Sequence, residues 1–123
     1  MFVGYPTETQ QDFQETLDLL KRYQKYLIDN TIVGINHSGI FGMLPDTPVF
    51  NQKDELGIFV ESDSDNQLNW FNKNNPDLTV KERILRDLTF RRTALDLRYP
   101  IPYAHRYLEY LKNHDLNSVL LPD

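Results

Sequence analysis

The chain has 123 residues, 40% of them hydrophobic and 25% charged, which suits one folded domain rather than a disordered chain. A net charge of −5 excludes a basic surface for nucleic acid or anionic membrane, since phosphate contacts need clustered Lys and Arg. The complete absence of cysteine excludes disulfides, thiolate nucleophiles and cysteine-held zinc or iron–sulfur clusters supplied by this chain.

The first five residues, MFVGY, predict a short buried strand stopped by Pro6. Thr7 or Thr9 then caps a helix. Thr7 has Gln10 at capping-box spacing, and Glu8 and Asp12 complement the positive helix N-terminus. Phe13, Leu17, Leu20, Gln24 and Leu27 recur at helical spacing, Leu19, Tyr23 and Tyr26 widen that face, and the helix is expected to end near Asn30.

Residues 31–36 (TIVGIN) are rich in β-branched side chains and predict a second strand, parallel to the first across a right-handed βαβ crossover. Residues 37–50 carry two glycines and two prolines and predict an irregular connection, with a rigid turn at Leu44-Pro45-Asp46-Thr47-Pro48. Residues 57–62 (GIFVES) are a third candidate strand, followed by a solvated turn, the aromatic pair Trp70-Phe71 and a loop at 72–77.

Thr79-Val80-Lys81-Glu82 has capping-box form and starts a helix to about Arg98, with Val80, Ile84, Leu88 and Leu95 on one face. Its arginines, Arg83, Arg86, Arg91, Arg92 and Arg98, interleave with Glu82, Asp87 and Asp96, the pattern of a solvated, paired face. Pro100 and Pro102 break it, a last helix is expected over 103–114, and 116–123 reads as a tail. The fold class is α/β in a single domain over residues 1–123, richer in helix toward its end.

No stretch approaches the roughly 20 apolar residues that span a bilayer, and no basic region leads an apolar core at the N-terminus. The chain is therefore read as cytoplasmic. There is neither a dinucleotide fingerprint nor a phosphate loop. His105 and His114 read as structural or solvent-facing. His37 follows directly on the predicted second strand, at the carboxyl edge where α/β proteins place ligands, and the turn with Glu8 lies one strand over. Glu8 reads either as a ligand acceptor or as a carboxylate complementing the helix dipole. Spacing alone defines no catalytic constellation.

GYPTETQQDFQETLDLLKRY resembles a segment of radical S-adenosylmethionine enzymes, approximately G-[FY]-P-x-E-T-x-x-D-F-x-x-T-L, especially in the cobalamin-binding subgroup. There it forms the end of a middle barrel strand and the following helix. The Leu44–Pro48 turn stands where that family has an L-P-G-T-P-like turn, and the aromatic stretch at Asn69-Trp70-Phe71 and the arginine-rich capped helix follow in the same order. The resemblance covers about residues 1–99.

It implies a partial, half β/α barrel corresponding to the C-terminal part of that core. The family uses S-adenosylmethionine and a four-iron four-sulfur cluster on a CxxxCxxC loop. This chain lacks that motif, so a fragment or truncated paralogue, not competent alone and holding no cofactor or metal itself, is the implied function. By carry-over, Gly4, Pro6 and Glu8 would lie at the rim facing the cofactor, with His37, Pro45 and Thr47 near cofactor or substrate. Asp46 stands in place of the usual glycine, although Asp tolerates left-handed backbone.

A half barrel would expose an unpaired, apolar sheet edge, so a homo-oligomer through that edge is expected. Two readings compete. One is a non-catalytic oligomerisation or interaction module; the other is a small cluster-independent enzyme using Glu8 and His37.

Overall fold

The computed structural model describes residues 2–29, 39–60 and 69–100. The elements are β1 (Phe2–Val3), α1 (Gln10–Ile28), β2 (Gly39–Ile40), α2 (Pro48–Asn51), α3 (Lys53–Leu56), β3 (Ile58–Val60), β4 (Trp70–Asn72) and α4 (Val80–Asp96). Helix and strand are mixed, as an α/β chain requires.

α1 starts at Thr9 rather than Thr7. The Thr9 hydroxyl accepts from the Asp12 amide at 3.1 Å, and the Asp12 carboxylate accepts from the Thr9 amide at 2.9 Å, closing a full capping box. These bonds hold the Asp12 carboxyl below its usual 3.8. The face read from periodicity packs inward at Phe13, Leu17 and Leu20, with Leu27 at its margin, whereas Leu19 and Tyr23 remain exposed. Gln24 ties this helix to the far end of the chain. Its amide donates to the Leu97 carbonyl at 3.1 Å, covering one of the groups a helix end leaves open.

β1 pairs in parallel with β2, Phe2 beside Gly39 and Val3 beside Ile40, and the Phe41 amide donates to the Val3 carbonyl at 2.8 Å. The parallel strand–helix–strand unit expected from the sequence is present, with Gly39–Ile40 as the described strand paired to β1. The sequence predicts an irregular path at residues 39–40; here they are extended and pair with β1. The expected strand at 31–36 and His37 lie outside the described residues. So do the last helix at 103–114, with His105 and His114, and the tail.

The connection after β2 also holds more order than expected. Asp46 adopts φ 65°, Thr47 caps α2, and Gly57 at φ 77° ends α3 where a left-handed residue is needed. β3 and β4 then pair antiparallel, Phe59 opposite Phe71, as a second two-stranded sheet.

α4 is capped by Thr79, whose hydroxyl accepts from the Glu82 amide at 3.1 Å. The reciprocal bond is not formed, because the Glu82 carboxylate turns to Arg86 at 3.0 Å. The helix ends in a Schellman turn: Arg98 takes φ 68°, the Tyr99 amide donates to the Ala94 carbonyl and the Arg98 amide to that of Leu95. Tyr99 is thereby folded back into the core, where its hydroxyl donates to the Leu20 carbonyl at 2.7 Å.

One apolar cluster joins Val3, α1 and the inner face of α4 through Phe90 and Ala94; a second gathers Met43, Ile58, Trp70 and Leu78. Each fully buried large apolar side chain contributes about 1.5–3 kcal/mol. The α4 face differs from expectation. Val80 and Ile84 are each 37% exposed, while Arg83, Arg86 and Asp87 are buried with Leu88. The reading of this arginine row as a solvated, paired face is therefore corrected at Arg83 and Arg86, whereas Arg92 and Arg98 are exposed and Arg91 pairs with Asp87 as expected. What lies against α4 is a set of carbonyls, a carboxylate and an indole, and guanidinium groups satisfy these where Val and Ile could not.

Candidate functional site

The carboxyl end of the β1–β2 pair is where an α/β arrangement opens toward a ligand. β1 runs into Gly4 at φ +81°, a conformation open to glycine and strained for other residues. A Cβ there would stand 2.9 Å from Cγ of Arg83, so the stem of that arginine occupies the space glycine leaves. The turn closes with the Glu8 amide donating to the Tyr5 carbonyl at 2.8 Å, and Pro6 inside it is fully buried.

Glu8 lies under this turn. Its Oε1 accepts from the Gly4 amide at 3.2 Å and from Nη1 of Arg86 at 3.0 Å. The pair is well enclosed, with the Arg86 side chain 4% exposed and that of Glu8 11%. Nη1 also reaches the Glu8 carbonyl at 3.1 Å and the Thr9 carbonyl at 3.4 Å, and Nε donates to Glu82 at 3.0 Å. Arg86 is thus a clamp between the β1–α1 turn and the first turns of α4. Glu8, read as a ligand acceptor or a dipole partner, here has its carboxylate in an internal ion pair with Arg86.

Two asparagines complete the turn's hydrogen bonding. Asn72, buried at the end of β4, donates from Nδ2 to the Pro6 carbonyl at 2.9 Å and accepts the Asn74 amide at 2.9 Å. Asn75 donates to the Pro6 carbonyl at 3.1 Å and the Glu8 carbonyl at 3.0 Å. Between these groups, Thr7, Thr9, Glu55 and Leu56 opens a cleft of about 300 Å³.

Behind the same edge runs an aromatic succession. Phe2 and Tyr5 meet the Phe41 ring edge-to-face at 6.1 and 5.0 Å, and Phe41 meets Trp70 at 6.4 Å. Trp70 carries the Arg83 guanidinium on its face, 3.7 Å from the ring centroid. Arg83 is 1% exposed and donates from Nη2 to the Trp70 carbonyl at 2.7 Å and from Nε to that of Thr79 at 3.3 Å. Burial lowers its pKa to about 10, which leaves it cationic at neutral pH.

Of the residues carried over by resemblance, Gly4, Pro6 and Glu8 fall together in this turn. Pro45 is exposed in a separate loop, and Thr47 caps α2, accepting from the Phe50 amide at 3.3 Å and donating to the Leu44 carbonyl at 2.7 Å. His37 lies outside the described residues. Sequence reasoning missed Arg83, Arg86, Trp70, Asn72 and Asn75. A signal for the arginines exists: Arg83, Arg86, Phe90 and Ala94 recur at helical spacing, which puts both guanidinium groups on the face of two core residues.

The residues present do not fit a thiolate-held cluster, since the chain has no cysteine. Among the described residues no group of three His, Cys, Asp or Glu side chains is placed to hold a metal ion. No helix of the described residues is long and apolar enough to cross a membrane. Comparison with family models, curated proteins and solved structures gave no match.

Proposed function

We propose that this chain is a radical S-adenosylmethionine-like core segment, a half barrel corresponding to the C-terminal part of that core, without catalytic competence of its own. The observation that carries the reading is the parallel pairing of Phe2–Val3 with Gly39–Ile40 across α1, with the GYPTET turn at its carboxyl end. That is the local unit from which a β/α barrel is built. With no thiolate in the chain, any cluster would need ligands from another polypeptide or segment.

The test is anaerobic reconstitution of the purified chain with iron and sulfide, followed by calorimetric titration with S-adenosylmethionine. The reading expects no iron–sulfur absorbance and weak binding of the nucleoside. Reductive cleavage of S-adenosylmethionine by the chain alone would overturn it, and so would absence of binding at millimolar ligand.

A second reading, a non-catalytic oligomerisation or interaction module, is favoured by a different feature. Phe59 is 67% exposed and, with Phe71 and Val80, walls an open apolar groove of about 200 Å³ on the outer side of the hairpin. Self-association measured by light scattering supports this reading, and a clean monomer at high concentration removes it.

A further inference from the structure

Helical spacing with Phe90 and Ala94 carries Arg83 to the inside of α4, and there it has an incomplete set of acceptors. Nε and Nη2 are satisfied by the Thr79 and Trp70 carbonyls, but Nη1 is buried with no acceptor among the described residues. The indole Nε1 of Trp70 is in the same condition. The two orphan donors belong to groups stacked 3.7 Å apart, on side chains that are almost wholly enclosed.

The charge is as incomplete as the hydrogen bonding. Glu8 and Glu82 are both bound to Arg86, and Asp87 is bound to Arg91 at 3.0 Å. No carboxylate meets Arg83 among the described residues. Its stem runs beside Gly4 and its head is held by the Thr79 and Trp70 carbonyls. Buried donors without partners are rare in folded proteins and mark an unseen acceptor.

We infer that Arg83 and Trp70 form a binding site for a small monovalent anion of halide size, received by Arg83 Nη1 and Trp70 Nε1. A water molecule could accept from both donors, but it would leave the cation uncompensated in a poorly solvated place. A halide supplies the missing charge and accepts from any direction, so it places no demand on how the two donors are oriented. The chain's net charge of −5 disfavours diffuse anion uptake, so binding here would stand out from general screening.

The probes are bromide and chloride, used on the full chain. In crystals containing sodium bromide, an anomalous peak is expected within hydrogen-bonding distance of Arg83 Nη1. In solution, chloride replaces gluconate at constant ionic strength while the folding constant is measured by urea denaturation. Above the dissociation constant, each tenfold rise in chloride should raise that constant by close to tenfold. Arg83→Met should abolish the dependence. Trp70→Phe keeps a ring for stacking but removes one donor, and should weaken it; this variant carries the solution test if Arg83→Met does not fold. Bromide at the site with a chloride-independent folding constant would mean an adventitious ion only and would overturn the assignment. A site without an anomalous peak would overturn it as well.

Discussion

Replacing Gly4 with alanine should destabilise the chain through two separable effects. The backbone there stands at φ +81°, and holding an L side chain in left-handed backbone costs about 1–2 kcal/mol. The new Cβ would also lie 2.9, 3.2 and 3.3 Å from Cγ, Cδ and Cβ of Arg83. That stem cannot yield easily, because its head is tied to the Thr79 and Trp70 carbonyls and stacked on the indole. Overpacking of this kind costs about 1–3 kcal/mol, so the total for Gly4→Ala is about 2–5 kcal/mol. Urea denaturation of wild type, Gly4→Ala, Arg83→Ala and the double variant would separate the two. Truncating Arg83 to alanine removes the Cγ and Cδ contacts but leaves the 3.3 Å approach to its Cβ and the backbone strain, so a coupling of about 1–3 kcal/mol is expected between the sites. A cost for Gly4→Ala below about 0.5 kcal/mol, or one undiminished beside Arg83→Ala, would refute the close approach of stem to turn.

The buried pair of Glu8 and Arg86 gives a second expectation. Glu8→Ala strands a guanidinium that is 4% exposed and should cost about 3 kcal/mol, moderated by the remaining bond to Glu82. Adding Arg86→Met should recover part of that loss in the same denaturation assay. At the end of α4, Arg98→Gly relieves φ 68° and should raise stability by about 1 kcal/mol, read as a higher thermal midpoint. The Asp12 cap has a definite pH sign. Its folded pKa is below 3.8, so its contribution is present above that value and is lost as pH falls through the folded pKa. The gap in denaturation midpoint between wild type and Asp12→Asn should therefore persist at neutral pH and narrow as pH falls below 3.8, and a constant gap would refute it.

The helices were legible because their signals are local. Thr79 and the apolar spacing of Phe13, Leu17 and Leu20 announce caps and core with no reference to the rest of the chain. The first strand was legible for the same reason. Its partner was not, because Gly39–Ile40 has little strand propensity of its own and is extended by pairing with β1. The site was the least legible part. Glu8 and Arg86 are 78 positions apart and Asn72 and Pro6 are 66 apart, separations that no periodicity reports. Arg83 and Arg86 on α4 were misread because mixed charges at short spacing normally face water. Here a turn and a strand present them with carbonyls, a carboxylate and an indole.

The fastening of the opening turn bears on how the chain is made. Asn72, Asn75 and Arg86 together hold Pro6, Glu8 and Thr9, and all three anchors are synthesised long after the segment they grip. At ribosomal rates of about 5–20 residues per second, the nascent β1–α1 turn waits on the order of several seconds for its partners. Closing a loop of that span must be completed before any of these bonds repays it. During biosynthesis α1 can therefore exist early as a capped helix, while the turn ahead of it takes its shape only once α4 has emerged.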